Sequence, residues 1–260
     1  MTRIIAIANQ KGGVAKTTTA INLSSSLAKL NRSVLLIDLD PQGNTSRGIG
    51  VDSSIMSRTI FDVLTNKYDI NKVIKKTCMP NLSLIPANLR LASTESKLGK
   101  SMLKTQYILR DAIKKLDVKY DYIIIDCPPA IGVLNTNGLT AAHSVLIPVQ
   151  CEYFAMEAVS QMLATMRKVQ NKYNHNLEIE GIVFTMYDSR TRMAVEVTTE
   201  IRKLFKEKTF TTAIPRNIYL PEAALKGIPI TIYKPKSSAS IAYLNLAKEI
   251  LDHEVIKMNP

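Results

Sequence analysis

The sequence predicts an α/β protein built as a single-domain, open, mostly parallel twisted sheet with helices on both faces. Three observations predict it. Short runs rich in Ile and Val alternate with longer helical patterns from end to end. Those runs are apolar at consecutive positions, as strands covered on both faces are. No repeat, low-complexity stretch or Pro/Gly/Ser linker divides the 260 residues, so one domain is expected over 1–260, with its core at about 3–251.

Residues 4–8 form the first expected strand, and 16–30 the helix after it. Strands follow at 34–39 and 82–85. Residues 104–116 are read as a helix because Leu109, Ala112, Ile113 and Leu116 keep the i, i+3, i+4, i+7 spacing of a buried stripe. Next come strands at 122–125 and 145–149, a helix at 155–173 and a strand at 179–185. The helix at 191–206 has its own stripe in Val197, Ile201, Leu204 and Phe205. A strand at 210–214 and a helix at 240–251 complete the order. In such sheets ligands bind outside the carboxyl ends of the strands, so the chemistry is expected just after Ala8, Leu39, Ile125 and Val149.

Hydrophobic residues make up 46% and charged residues 22%, which supplies a core and excludes disordered, collagen-like and disulfide-stapled chains. Thirty-four Lys and Arg against 22 Asp and Glu leave +12, which points to a polyanionic partner such as nucleic acid or an anionic membrane surface. Cys78, Cys127 and Cys151 are an odd, widely spaced set with no CxxC, so reduced thiols are expected. His143, His175 and His253 lack partners at metal-ligand spacing. The first apolar run is too short for a secretory signal and no stretch is long enough for a membrane span, so a cytoplasmic chain is expected.

After the first strand comes Asn9-Gln10-Lys11-Gly12-Gly13-Val14-Ala15-Lys16-Thr17-Thr18-Thr19, followed by a helix. Glycines at this junction let backbone N–H groups converge on an anion, and the helix N-terminus adds partial positive charge. A lysine at the helix start can reach β- and γ-phosphates, and the next hydroxyl can ligate Mg²⁺. The strict G-x-x-x-x-G-K-[ST] pattern fails at Gln10 and Ala15, so a plain glycine turn remains the competing reading of this loop alone.

The loop resembles the deviant Walker A motif of ParA/MinD-type ATPases, a P-loop NTPase group. Ile37-Asp38-Leu39-Asp40-Pro41-Gln42-Gly43-Asn44 resembles their second acidic motif, and Ile123-Ile124-Ile125-Asp126-Cys127-Pro128-Pro129 their Walker B. Pro148-Val149-Gln150-Cys151-Glu152 and Ile214-Pro215-Arg216-Asn217 resemble later ParA segments, and the similarity runs from about Ile4 to Leu251, nearest the chromosomal partition subgroup. The resemblance implies ATP and Mg²⁺ as cofactors, and slow, partner-stimulated hydrolysis. It implies that Gly12, Gly13, Val14, Ala15, Lys16, Thr17 and Thr18 wrap the phosphates, with Lys16 neutralising β/γ charge. Thr17 and Asp126 would hold Mg²⁺, and Asp40 would position the attacking water. Lys11 would cross a nucleotide-sandwich homodimer to the partner's phosphates, and Pro215 and Asn217 would line the adenine pocket. At Ala15, a required positive φ would cost on the order of 1 kcal/mol relative to glycine and weaken nucleotide binding.

Residues 187–236 hold ten basic and five acidic residues, net +5. Arg190, Arg192, Arg202, Lys203, Lys206, Lys226, Lys234 and Lys236 are candidates for a nonspecific double-stranded DNA surface, with Arg202, Lys203 and Lys206 off the apolar stripe and facing water. A solvated helix face is the competing reading. The resemblance implies a DNA-partition ATPase, nucleoid-associated, that dimerises on ATP and is reset by a ParB-like centromere-binding protein. The alternative is a membrane-cycling ATPase of the MinD kind, opposed by Glu249, Asp252 and Glu254 near the C-terminus. A metal-cluster carrier, needing paired cysteines at a dimer axis, is a third reading.

Overall fold

The computed structural model describes residues 2–98 and 104–258. All seven expected strands form, as β1 (Arg3–Ile7), β2 (Val34–Asp38), β4 (Leu82–Ile85), β5 (Tyr122–Asp126), β6 (Ser144–Gln150), β7 (Glu178–Tyr187) and β8 (Thr209–Pro215). An eighth, β3 (Lys75–Lys76), pairs antiparallel with β4 at one edge. The sheet order is β3-β4-β2-β5-β1-β6-β7-β8, and every pairing apart from β3–β4 is parallel.

Helices α1 (Lys16–Lys29), α2 (Asn44–Gly48), α3 (Ile60–Leu64), α4 (Thr94–Leu98), α5 (Ile108–Ile113) and α6 (Val133–Ala141) belong to the first half. The second half holds α7 (Ala155–Lys172), α8 (Arg192–Phe205), α9 (Tyr219–Leu225), α10 (Ile230–Tyr233) and α11 (Ser238–Met258). Alternate strand residues point to opposite faces of the sheet. Ala6, Leu35, Ile37, Ile123 and Ile125 therefore join the core under α5, α6 and α7. Ile5, Ile7, Leu36 and Ile124 join a second core under α1 and α11. With both faces covered, consecutive apolar residues are all needed, each contributing about 1.5–3 kcal/mol when fully buried.

Two expectations are corrected. The helix at 104–116 is a 3₁₀ turn at Thr105–Tyr107 leading into the short α5. On α8 the inward line runs through Ala194, Thr198 and Ile201 to the partly buried Phe205, so Leu204 falls on the flank, 60% exposed. At the β7 end, Gly181 lies so close to Phe210 that a Cβ would sit 2.4 Å from its ring. Any larger residue would have to displace that ring.

Candidate functional site

The carboxyl ends of β1, β2 and β5 converge, with Ile7 and Asp38 both in register with Asp126. Beyond β1 the chain is pinned before it turns. Buried Asn9 donates from Nδ2 to Pro148 O at 2.8 Å, and its Oδ1 accepts from Lys11 N at 3.0 Å. Gly13 (φ +76°) and Ala15 (φ 64°, ψ 34°) both adopt the left-handed conformation. The positive φ foreseen at Ala15 is therefore real. A Cβ at Gly12 or Gly13 would meet open space, so the loop faces an unfilled cradle. Val14 closes the loop's inner side, its carbonyl accepting from Thr185 Oγ1 at 3.1 Å.

Lys16 opens α1 and bends back over the loop, its Nζ donating to Lys11 O at 3.0 Å. Burial pushes its ammonium below the usual lysine range, against the opposing pull of Asp126 and Asp40. Thr17 Oγ1 donates to Asp126 Oδ2 at 2.8 Å, and Thr45 Oγ1 donates to the same oxygen at 2.6 Å. Asp126 Oδ1 is buried with no hydrogen-bond partner. A buried carboxylate oxygen left open beside a threonine hydroxyl is a donor set that suits a hard cation such as Mg²⁺. Burial raises the Asp126 carboxyl to about 6.

Asp38 lies beneath it, fully buried, accepting from Ser46 N (2.9 Å), Ser46 Oγ (2.7 Å) and Asp40 N (3.1 Å). Burial first, and then the charge of Asp126, raise it to about 7. Asp40 is only half-buried, and its Oδ1 accepts from Gln42 N at 2.9 Å. Lys16, Thr17, Asp40 and Asp126 are thus brought together. Lys11 is not aimed at the loop's own cradle: its Nζ pairs with Glu152 Oε2 at 3.0 Å, and both side chains are partly exposed.

Thr17 and Thr18 border a cleft of about 650 Å³ with Asn44, Arg47 and Pro221. Pro215 and Asn217 border a neighbouring cleft of about 670 Å³ that shares Pro221. Asn217 is braced there, donating to Ser238 Oγ at 3.1 Å and accepting from Tyr219 N at 2.9 Å.

The eight basic candidates do not form one stripe. Arg190 is paired with Asp188 and Arg192 with Glu196, both at 2.7 Å, at the start of α8. Lys203 and Lys206 are exposed at its other end, about 21 Å away by helical rise. Arg202 does not face water as expected: it is half-buried, over the Phe184 ring, and donates to Thr211 O at 3.1 Å. Lys226, Lys234 and Lys236 are exposed around α9 and α10.

Cys127 is buried and Cys151 half-buried, and burial raises the Cys151 thiol to about 12, so both stay protonated. Among the described residues no three His, Cys, Asp or Glu side chains are grouped to hold a metal ion, and no helix is long and apolar enough to cross a membrane. Thr45 and Ser46 are not singled out by the sequence, while Asp38 and Glu152 stand inside its motifs without a role of their own. An acid inside the apolar run 34–39 could have marked Asp38, and a strand-end position Glu152. Nothing in the spacing marks Thr45.

An AAA domain family matches residues 2–179. The chain is 46% identical to the sporulation initiation inhibitor protein Soj of Bacillus subtilis, over 96% of this chain and 98% of that protein. It is 43% identical to the chromosome partitioning protein ParA of Caulobacter vibrioides, over 97% and 95%. A solved structure described as cobyrinic acid a,c-diamide synthase from Mycobacterium smegmatis, with bound ADP and magnesium, superposes with TM-score 0.85 at 38% identity, over 97% of this chain and 95% of that one.

Proposed function

This chain belongs to the ParA/MinD-type ATPases, and on that premise we propose that it is a partition ATPase whose ATP-bound homodimer holds DNA until a ParB-like partner triggers hydrolysis. It binds ATP with Mg²⁺, hydrolyses the ATP, and serves chromosome or plasmid partition. One ATPase domain spanning 1–260 is part of the proposal.

The observation that carries the reading is the cluster of Thr17, Thr45 and Asp126 beneath the open glycine cradle, with one Asp126 oxygen unpartnered. Loop N–H groups and Lys16 would neutralise the β- and γ-phosphates. Thr17 and Asp126 would hold Mg²⁺, which when bound offsets charge developing on the phosphates. Asp40 would orient the attacking water and take its proton late in a loose transition state. Lys11 would exchange Glu152 for the partner's phosphates. Pro215 and Asn217 would border the base. Arg190, Arg192, Lys203, Lys206, Lys226, Lys234 and Lys236 would contact duplex phosphates without reading bases, two half-surfaces gaining strength when joined, while Arg202 is engaged within the fold.

Stable membrane association is disfavoured by the C-terminal helix. Leu246, Ala247 and Ile250 on α11 are fully buried, and Glu249 accepts from Thr211 N and Thr212 N at 2.8 Å. That apolar face is already spent in the core. Side chains beyond His253, including Glu254, lie outside the described ones. The test is size-exclusion chromatography of the Asp40→Ala protein: a dimer with ATP and Mg²⁺ and a monomer without nucleotide are expected. A monomer in both runs refutes the switch.

A further inference from the structure

Helices α1, α2, α3 and α9 end in the same way. A residue of positive φ follows the last turn of each: Asn31 (62°), Gly50 (84°), Asn66 (56°) and Gly227 (67°). The next amide then reaches back across that turn. Arg32 N donates to Leu27 O (3.1 Å), Val51 N to Ser46 O (2.9 Å), Lys67 N to Asp62 O (2.8 Å) and Ile228 N to Ala223 O (3.1 Å). Asparagine serves at two of these caps, so the left-handed conformation does not by itself call for glycine at the other two.

What sets Gly50 and Gly227 apart is that they touch. A Cβ on Gly50 would lie 2.7 Å from Gly227 O. One on Gly227 would lie 2.7 Å from Gly50 Cα and 3.2 Å from Arg47 O. These neighbours are all backbone, which cannot swing aside as a side chain can. The contact joins two parts of the nucleotide site. Helix α2 carries Thr45 and Ser46, whose hydroxyls hold Asp126 and Asp38. Helix α9 begins just after Asn217, which borders the base cleft and accepts from Tyr219 N. Arg47 and Gly48 from the one helix and Leu220 and Leu225 from the other wall the cleft beside Thr17 and Thr18.

We infer that Gly50 and Gly227 are positioning residues for magnesium-dependent nucleotide binding. Their contact fixes α2, so that Thr45 meets Asp126 Oδ2 and Oδ1 stays open for the cation. Thr45 lies about one and a half turns from the contact and Asn217 about three, so a wedge between the caps reaches the hydroxyl before the base cleft. Capping alone would not place the two glycines against each other, and a purely local packing role would leave the cation's affinity untouched. The inference rests on Thr17 and Asp126 holding Mg²⁺ and is independent of DNA and of the dimer.

The test is calorimetric titration of ADP into the whole chain, once with Mg²⁺ and once with EDTA. Gly227→Asn keeps a residue suited to the cap, as Asn31 and Asn66 are, and adds a Cβ against Gly50. Gly50→Asn drives the same wedge from the other side should the first variant not fold. Gly181→Ala, which crowds Phe210 in the amino half of β7, controls for lost stability. Thr45→Val removes the hydroxyl itself. In the wedge variants the gain in ADP affinity brought by Mg²⁺ is expected to fall about threefold to thirtyfold, with affinity in EDTA unchanged. Gly181→Ala keeps the gain. Thr45→Val joined to Gly227→Asn loses little more than Thr45→Val alone, because both act on one contact. A gain in Gly227→Asn as large as in Gly181→Ala, with Thr45→Val reduced, overturns the inference and leaves the magnesium site standing. Losses that simply add in the double variant overturn it too. A full gain in Thr45→Val defeats the magnesium reading of this cluster and the inference with it.

Discussion

Asp38→Asn is expected to change the pH dependence of stability more than stability itself. In the folded chain Asp38 titrates at about 7, against an ordinary 3.8, because burial and Asp126 disfavour its charge. Its folded value is raised, so the folded chain holds a proton that the unfolded chain has released, and stability falls as pH rises from about 4 to about 7. Between pH 5 and pH 8 that fall is about 3 kcal/mol, at about 1.4 kcal/mol per unit over the two units below 7. Asparagine has no proton to lose, so this part of the fall disappears. The amide brings its own cost. Ser46 N, Ser46 Oγ and Asp40 N all donate to the carboxylate, and an NH₂ facing one of them costs about 1–3 kcal/mol. At pH 5 the relief and the cost nearly cancel, to within about 1.5 kcal/mol. At pH 8 the variant leads by about 1–3 kcal/mol. Urea unfolding of both proteins at the two pH values, free of nucleotide, measures the gap. A gap that does not move with pH refutes the reasoning, whatever its size.

Two further outcomes concern single atoms of backbone space. Ala15→Gly removes the left-handed strain of about 1–2 kcal/mol while the freer unfolded glycine takes back about 0.4–1 kcal/mol, so calorimetry should show the melting temperature rising by about 1–3 °C. A fall would mean that the alanine methyl packs usefully. Gly181→Ala drives a Cβ to 2.4 Å from the Phe210 ring and should destabilise by about 1–3 kcal/mol in denaturant melts, with ATP affinity unchanged; an unmoved midpoint would show that Phe210 can turn aside.

What could be read from sequence follows from what each element spends its residues on. Strands buried on both faces must be apolar throughout, so β1, β2 and β5 announce themselves as runs. Strand β3 has only Lys75 and Lys76, and its place is set by pairing with Leu84 and Ser83 rather than by its own side chains. Helices α2 and α3 have five residues each, too few for a 3.6-residue period to show. The phosphate loop was legible because its glycines and lysine sit at a strand-to-helix junction. Asp38 stands in the sequence only as part of the second acidic motif, and the pairing of β2 with β5 places it beside Asp126.

The two loop lysines, given different roles by the resemblance, are also held differently by the fold. Lys16 is buried and hydrogen-bonded to the backbone of its own loop, so its ammonium is positioned by the same turn that shapes the cradle. Lys11 is held by an exposed ion pair, a kind of contact worth about 0.2–1 kcal/mol, which a stronger anion can displace. Ala15 separates the roles further. It is the N-cap residue of α1, and its carbonyl accepts from Thr19 N at 2.9 Å, so its strained conformation is a condition of starting the helix. The cost of alanine there therefore bears on folding stability, because the conformation is already part of the folded loop.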